Sequence, residues 1–151
     1  MRLSVSEKAP DFELSNESGI RVALSDYHGL WVLLYFYPKD DTPGCTQEAL
    51  SLKDLFDVLS EHDVVILGIS TDSKESHALF KEKYDLPFSL LSDEDGEVCE
   101  LYNALNAEGD HAHRISFLIN ADGTIAKIYN MVKPNHHAKE VLTDVTALQN
   151  L

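Results

Sequence analysis

Trp31-Val32-Leu33-Leu34-Tyr35-Phe36-Tyr37-Pro38-Lys39-Asp40-Asp41-Thr42-Pro43-Gly44-Cys45 decides the fold. Its first seven residues are apolar without alternation, the pattern of a strand covered on both faces. Pro38 and the polar residues after it end the strand, and a helix follows at once. Thr42 suits the N-cap, and Pro43 the first helical position, where its missing N–H would be unpaired anyway; Cys45 then falls third. There, free backbone N–H groups and the positive end of the helix dipole favour an anion. The anionic thiolate is the nucleophilic form of cysteine. Further on, Ala49, Leu52, Leu55, Phe56 and Leu59 form one stripe at helical spacing, so Cys45 is expected to open onto a pocket rather than bulk water.

Working outward, Val64-Val65-Ile66-Leu67-Gly68-Ile69 reads as a second buried strand and Ile115-Ser116-Phe117-Leu118-Ile119 as a third. The third leads through Asn120-Ala121-Asp122-Gly123 into a strand over 124–129, forming a hairpin. Before the opening stretch, 11–14 and 20–23 flank Asn16-Glu17-Ser18-Gly19, which predicts an N-terminal hairpin capping the domain. Helical patterns occupy 42–61, 73–84, 97–102 and 135–150. This order implies an α/β fold: a central mixed sheet, partly parallel, with an antiparallel hairpin at one side and helices on both faces.

With 151 residues, 44% of them hydrophobic, the chain is sized for one compact domain spanning 1–151. It carries 12 Lys and Arg against 26 Asp and Glu, a formal charge of -14, so nucleic acid and anionic membranes are repelled rather than gripped. Residues 1–10 lack a basic start followed by an apolar run, and no stretch approaches a membrane span of roughly 18 apolar residues. A soluble, cytoplasmic protein is expected. Two cysteines, Cys45 and Cys99, are too few for a disulfide framework and form no CxxC pair, which points to one reactive thiol.

A reactive thiolate needs a fixed positive charge, and arginine supplies one that stays protonated and can hold two atoms with its planar fork. Arg114, directly before the third strand, is the candidate, although spacing alone does not bring it to Cys45. His111 with His113, and His136 with His137, have no Cys or carboxylate pattern that completes a metal site, so no metal is expected.

Pro38, Thr42 and Cys45 match Pro-x-x-x-Thr/Ser-x-x-Cys, and the chain here closely resembles the peroxiredoxins. The stretch from Tyr35 through Cys45-Thr46-Gln47-Glu48-Ala49 is similar to the bacterioferritin-comigratory-protein, or Q-type, branch. Ala9-Pro10-Asp11-Phe12, Leu24-Ser25-Asp26, Leu90-Leu91-Ser92-Asp93, and Arg114 with Phe117-Leu118-Ile119 recur there in the same order. The resemblance implies a thioredoxin-like fold, a hydroperoxide substrate and Cys45 as the residue oxidised to a sulfenic acid, with no cofactor. It also implies that Thr42 bonds the bound oxygen, that Pro38 shields the site, and that Arg114 stabilises the thiolate and polarises the peroxide. Glu48 is the candidate for orienting Arg114.

The chain departs from that branch at Leu50, where many members carry a resolving cysteine five residues after the first. The pattern at 73–84, the other resolver position, holds no cysteine. Cys99, within the amphipathic run of Val98, Leu101, Tyr102 and Leu105, reads first as a buried core residue and only secondarily as a resolver. A one-cysteine mechanism is therefore expected, with thioredoxin, glutaredoxin or glutathione as reductant, and a monomer is favoured. The alternatives are a thioredoxin-like disulfide oxidoreductase, which lacks its CxxC, and a non-catalytic chaperone or binding module, which would not need Pro38, Thr42 and Cys45 together.

Overall fold

The computed structural model describes residues 3–150. Its seven strands are β1 (Glu13–Asn16), β2 (Arg21–Ala23), β3 (Trp31–Phe36), β4 (Val64–Ser70), β5 (Ser89–Ser92), β6 (Ile115–Ile119) and β7 (Ile125–Tyr129). The helices are α1 (Pro43–Asp54), α2 (Phe56–Glu61), α3 (Lys74–Tyr84), α4 (Glu97–Leu101) and α5 (His137–Gln149). All the strands lie in one sheet of order β2-β1-β5-β4-β3-β6-β7. β3, β4 and β5 run parallel at its centre, and antiparallel pairs flank them on both sides.

The unbroken apolar runs of β3 and β4 are explained by what covers them. Successive residues of a strand point to opposite faces. Val32, Leu34 and Phe36 join one core with Phe12, Val98, Cys99, Tyr102 and Phe117. Leu33, Tyr35 and Tyr37 join the other with Ala49, Leu52, Leu59, Phe80, Val141 and Val145. Thus α1, α2, α3 and α5 contribute to one layer, and α4 with the N-terminal segment to the other. Gly68 is required within β4 because a Cβ there would lie 2.9 Å from both the Tyr35 ring and Leu90.

Two local expectations need correction, and one strand was not foreseen. The N-terminal hairpin is not a cap: β1 pairs antiparallel with β5, Ser15 opposite Ser92, and extends the sheet. β5 itself escapes a reading by periodicity because it is four residues long. The single helix expected over 42–61 is two helices broken at Leu55, whose φ of -105° and ψ of 10° leave the helical range. No Gly or Pro marks the break, so it is imposed by packing: Ala49 and Leu52 before it and Leu59 after it all reach the same core. Among the described residues no helix is long and apolar enough to cross a membrane.

Candidate active site

Cys45 lies in the first turn of α1, with Thr42 at the N-cap and Pro43 as the first helical residue. Its side chain turns into the protein, leaving the residue 2% exposed. Thr42 holds the N-cap position but makes no side-chain cap. Its hydroxyl instead donates to the Lys39 carbonyl at 3.0 Å, closing the turn that follows β3. Pro38, at the start of that turn, is partly exposed.

Arg114 reaches this site through strand register. β6 runs antiparallel to β3 with Ile115 opposite Phe36, so the residue before β6 lies beside the end of β3, where α1 begins. The guanidinium fork then divides between two partners. Nη2 donates to Cys45 Sγ at 3.3 Å, and Nη1 donates to Glu48 Oε1 at 2.6 Å. Gly44 makes this approach possible, since a Cβ at that position would lie 3.0 Å from Nη2. No feature of the sequence around Gly44 signals this use.

Glu48 is fully buried one turn after Cys45 and faces Arg114. Burial pushes its pKa from 4.5 up to about 7, against the opposing pull of Arg114. Its second oxygen, like the Tyr35 hydroxyl, is buried with no hydrogen-bond partner among the described residues. A carboxylate held by one guanidinium and otherwise unpaired is costly to ionise, which gives the direction of that change.

Cys99 sits elsewhere, on α4, and is fully buried in the opposite core. Its pKa is raised by burial and further by Asp93, whose carboxylate accepts the Cys99 backbone N–H at 2.7 Å. Both features favour the neutral thiol. The histidines form no joint site: His111, His113 and His136 are exposed, whereas His137 is buried with Nε2 2.8 Å from Ser116 Oγ. A cavity of about 250 Å³, lined in part by Ala9, Leu24, Tyr27 and Val32, lies toward the other end of β3 and is not lined by Cys45, Thr42 or Arg114.

A polar cluster behind the turn was not legible in sequence. Asp40, read there only as a turn residue, is 8% exposed. It accepts from the Tyr37 hydroxyl at 2.6 Å and the Ser76 hydroxyl at 2.8 Å, and lies 2.7 Å from His77 Nδ1.

The chain has counterparts among known proteins. The family model described as the AhpC/TSA family matches residues 5–128. A putative peroxiredoxin bcp of Coxiella burnetii is 45% identical over 148 residues, covering 94% of this chain and 98% of its own. A cysteine-to-serine mutant of Xylella fastidiosa PrxQ superposes with a TM-score of 0.93 at 30% identity, covering 99% of each chain. The bacterioferritin comigratory protein of Xanthomonas campestris, solved in work on its alkyl peroxide reduction activity, gives a TM-score of 0.88 at 32% identity, covering 96% of this chain and 99% of that one.

Proposed function

The chain belongs to the AhpC/TSA family, in its Bcp or Q-type peroxiredoxin branch, and is a thiol-dependent peroxidase; on that premise we propose that Cys45 performs the reaction by a one-cysteine mechanism. The observation that carries this reading is the Arg114 fork, which offers one N–H to the Cys45 sulfur while Glu48 anchors the other arm. The Cys45 thiolate attacks one peroxide oxygen, forming the S–O bond as the O–O bond breaks, and hydroxide or alkoxide leaves to be protonated. Arg114 stabilises the negative charge as it passes from sulfur to the leaving oxygen. The Thr42 hydroxyl turns from the Lys39 carbonyl to the bound peroxide, and Pro38 limits access by water. Hydrogen peroxide and small organic hydroperoxides are the substrates.

The product is a sulfenic acid, which a thiol must reduce. Leu50 stands where a resolving cysteine would, and Cys99 lies in the other core, so the thiol comes from outside the chain: thioredoxin, glutaredoxin or glutathione. The enzyme acts in the cytoplasm as a monomer of one domain, without metal or organic cofactor. Peroxide consumption with each reductant tests this directly. Cys45→Ser should abolish turnover and Cys99→Ser should leave it intact; a high yield of Cys45–Cys99 disulfide after one equivalent of peroxide would overturn the one-cysteine mechanism.

A further inference from the structure

The Asp40 cluster joins the turn before Cys45 to two other parts of the fold. From α3, Ser76 Oγ donates to Asp40 Oδ2 and His77 Nδ1 lies 2.7 Å from the same oxygen. From the β4–α3 connection, Asp72 Oδ2 accepts the Asp40 backbone N–H at 2.8 Å and the Ser70 hydroxyl at 2.7 Å. The other ring nitrogen of His77 reaches the Leu91 carbonyl of β5 at 3.0 Å. His77 is fully buried, so the pair is shielded from water and its geometry is fixed at both ends. The neighbouring Asp41, at a φ of 57°, is tied to Lys83 and Tyr84 only by exposed contacts.

This cluster bears on the two halves of the reaction in opposite ways. A peroxide of two oxygens can reach a sulfur in a residue 2% exposed, but a reductant thiol needs an open line to the sulfenic acid sulfur. Reduction therefore requires the turn and the first turn of α1 to part from the core, whereas peroxide attack requires them in place.

Resting on the role proposed above for Cys45, we infer that His77 is a positioning residue. Through Asp40 it holds the 38–42 turn closed, and its hold sets how the Cys45 sulfenic acid divides between two fates. In one, a thiol attacks sulfur, a mixed disulfide forms and water leaves; a second thiol then releases the Cys45 thiol and a disulfide. In the other, a second peroxide oxidises the sulfenic acid to sulfinic acid and is itself reduced to water or alcohol. A loosened hold slows the first peroxide reaction and favours thiol over further oxidation.

The test uses the full chain with hydrogen peroxide and dithiothreitol. It reads the peroxide rate constant by stopped flow, the sulfinic fraction by mass spectrometry and the urea midpoint of each variant. A buried hydrogen bond to a charged acceptor accounts for about tenfold in an equilibrium. His77→Leu should thus raise the peroxide concentration giving half sulfinic acid about tenfold and lower the peroxide rate constant measurably, by less than this. His77→Asn, which keeps a donor near Asp40, should restore most of both. Ser76→Ala should move both in the same direction by less, and serves if His77→Leu does not fold. A lowered urea midpoint with an unchanged sulfinic fraction would overturn the inference, as would an Asn variant as impaired as the Leu one. Failure of wild-type Cys45 to form sulfenic acid would instead refute the assignment of Cys45 itself.

Discussion

Replacing Glu48 by Gln tests the electrostatics of the site most directly. Glu48 is fully buried, and its pKa is pushed from 4.5 up to about 7 by burial, with Arg114 opposing. In the unfolded chain the carboxyl ionises near its ordinary value. Between these two pH values the native state holds a proton that the unfolded state has released, so wild-type stability falls as pH rises through this window. At about 1.4 kcal/mol per pH unit, the gap between 4.5 and about 7 amounts to about 3 kcal/mol. Gln cannot ionise, so Glu48→Gln removes this dependence.

Other titrating groups are shared by the two proteins and largely cancel in their difference. Urea unfolding of both at pH values from 4 to 8 should show Glu48→Gln gaining about 3 kcal/mol on wild type across the window. Below pH 4.5 both carry a neutral side chain, and the remaining offset reports only the change from acid to amide. A difference flat with pH would refute the reasoning. A difference of opposite sign would mean that the 2.6 Å contact with Arg114 outweighs burial.

Gly44→Ala should place a Cβ 3.0 Å from Arg114 Nη2 and push the guanidinium off Cys45. Because alanine favours a helix over glycine by about 1 kcal/mol, the peroxide rate constant should fall severalfold while the urea midpoint holds or rises; loss of both together would contradict this. Arg114→Lys keeps the charge but cannot serve sulfur and carboxylate with one planar fork, so kcat/KM for peroxide should fall about a hundredfold. Leu50→Cys places a second thiol five residues after Cys45, about 7.5 Å along the helix axis and beyond the roughly 7 Å limit for a disulfide between Cα atoms. Peroxide should nonetheless join it to Cys45 in the tryptic digest, since reduction already requires α1 to open there; a persistent sulfenic acid would show that it does not.

Legibility in the sequence followed distance along the chain. Thr42, Pro43 and Cys45 could be placed because a helix start is written in adjacent residues, β3, β4 and β6 because of their apolar runs, and β7 because the turn ending in Asp122-Gly123 announces its hairpin. β5 was too short to show a period, and the break at Leu55 carries no residue that prefers it. Arg114 was identified as a type of residue the chemistry needs, but its contact with Cys45 depends on the antiparallel register of β3 and β6 across 69 residues. The Asp40–His77 contact spans 37 residues, and each partner taken singly looks like an ordinary polar residue of a turn or a helix.

The two cysteines show why burial alone could not identify the reactive one. Cys45 is 2% exposed and Cys99 is 0% exposed, so exposure does not separate them. What differs is the charge each sulfur meets. At Cys45, in the first turn of α1, the Arg114 guanidinium donates to Sγ from a fork that Glu48 keeps from swinging away. At Cys99 the nearby carboxylate of Asp93 adds repulsion to burial. A thiolate beside a cation in a shielded site is stabilised where charge is needed, whereas one beside an anion is suppressed. It follows that exchanging the charges should matter more than exchanging the exposures. Asp93→Asn should leave Cys99 slow to react with peroxide, because relieving repulsion supplies no cation, whereas removing Arg114 should make Cys45 behave as Cys99 does.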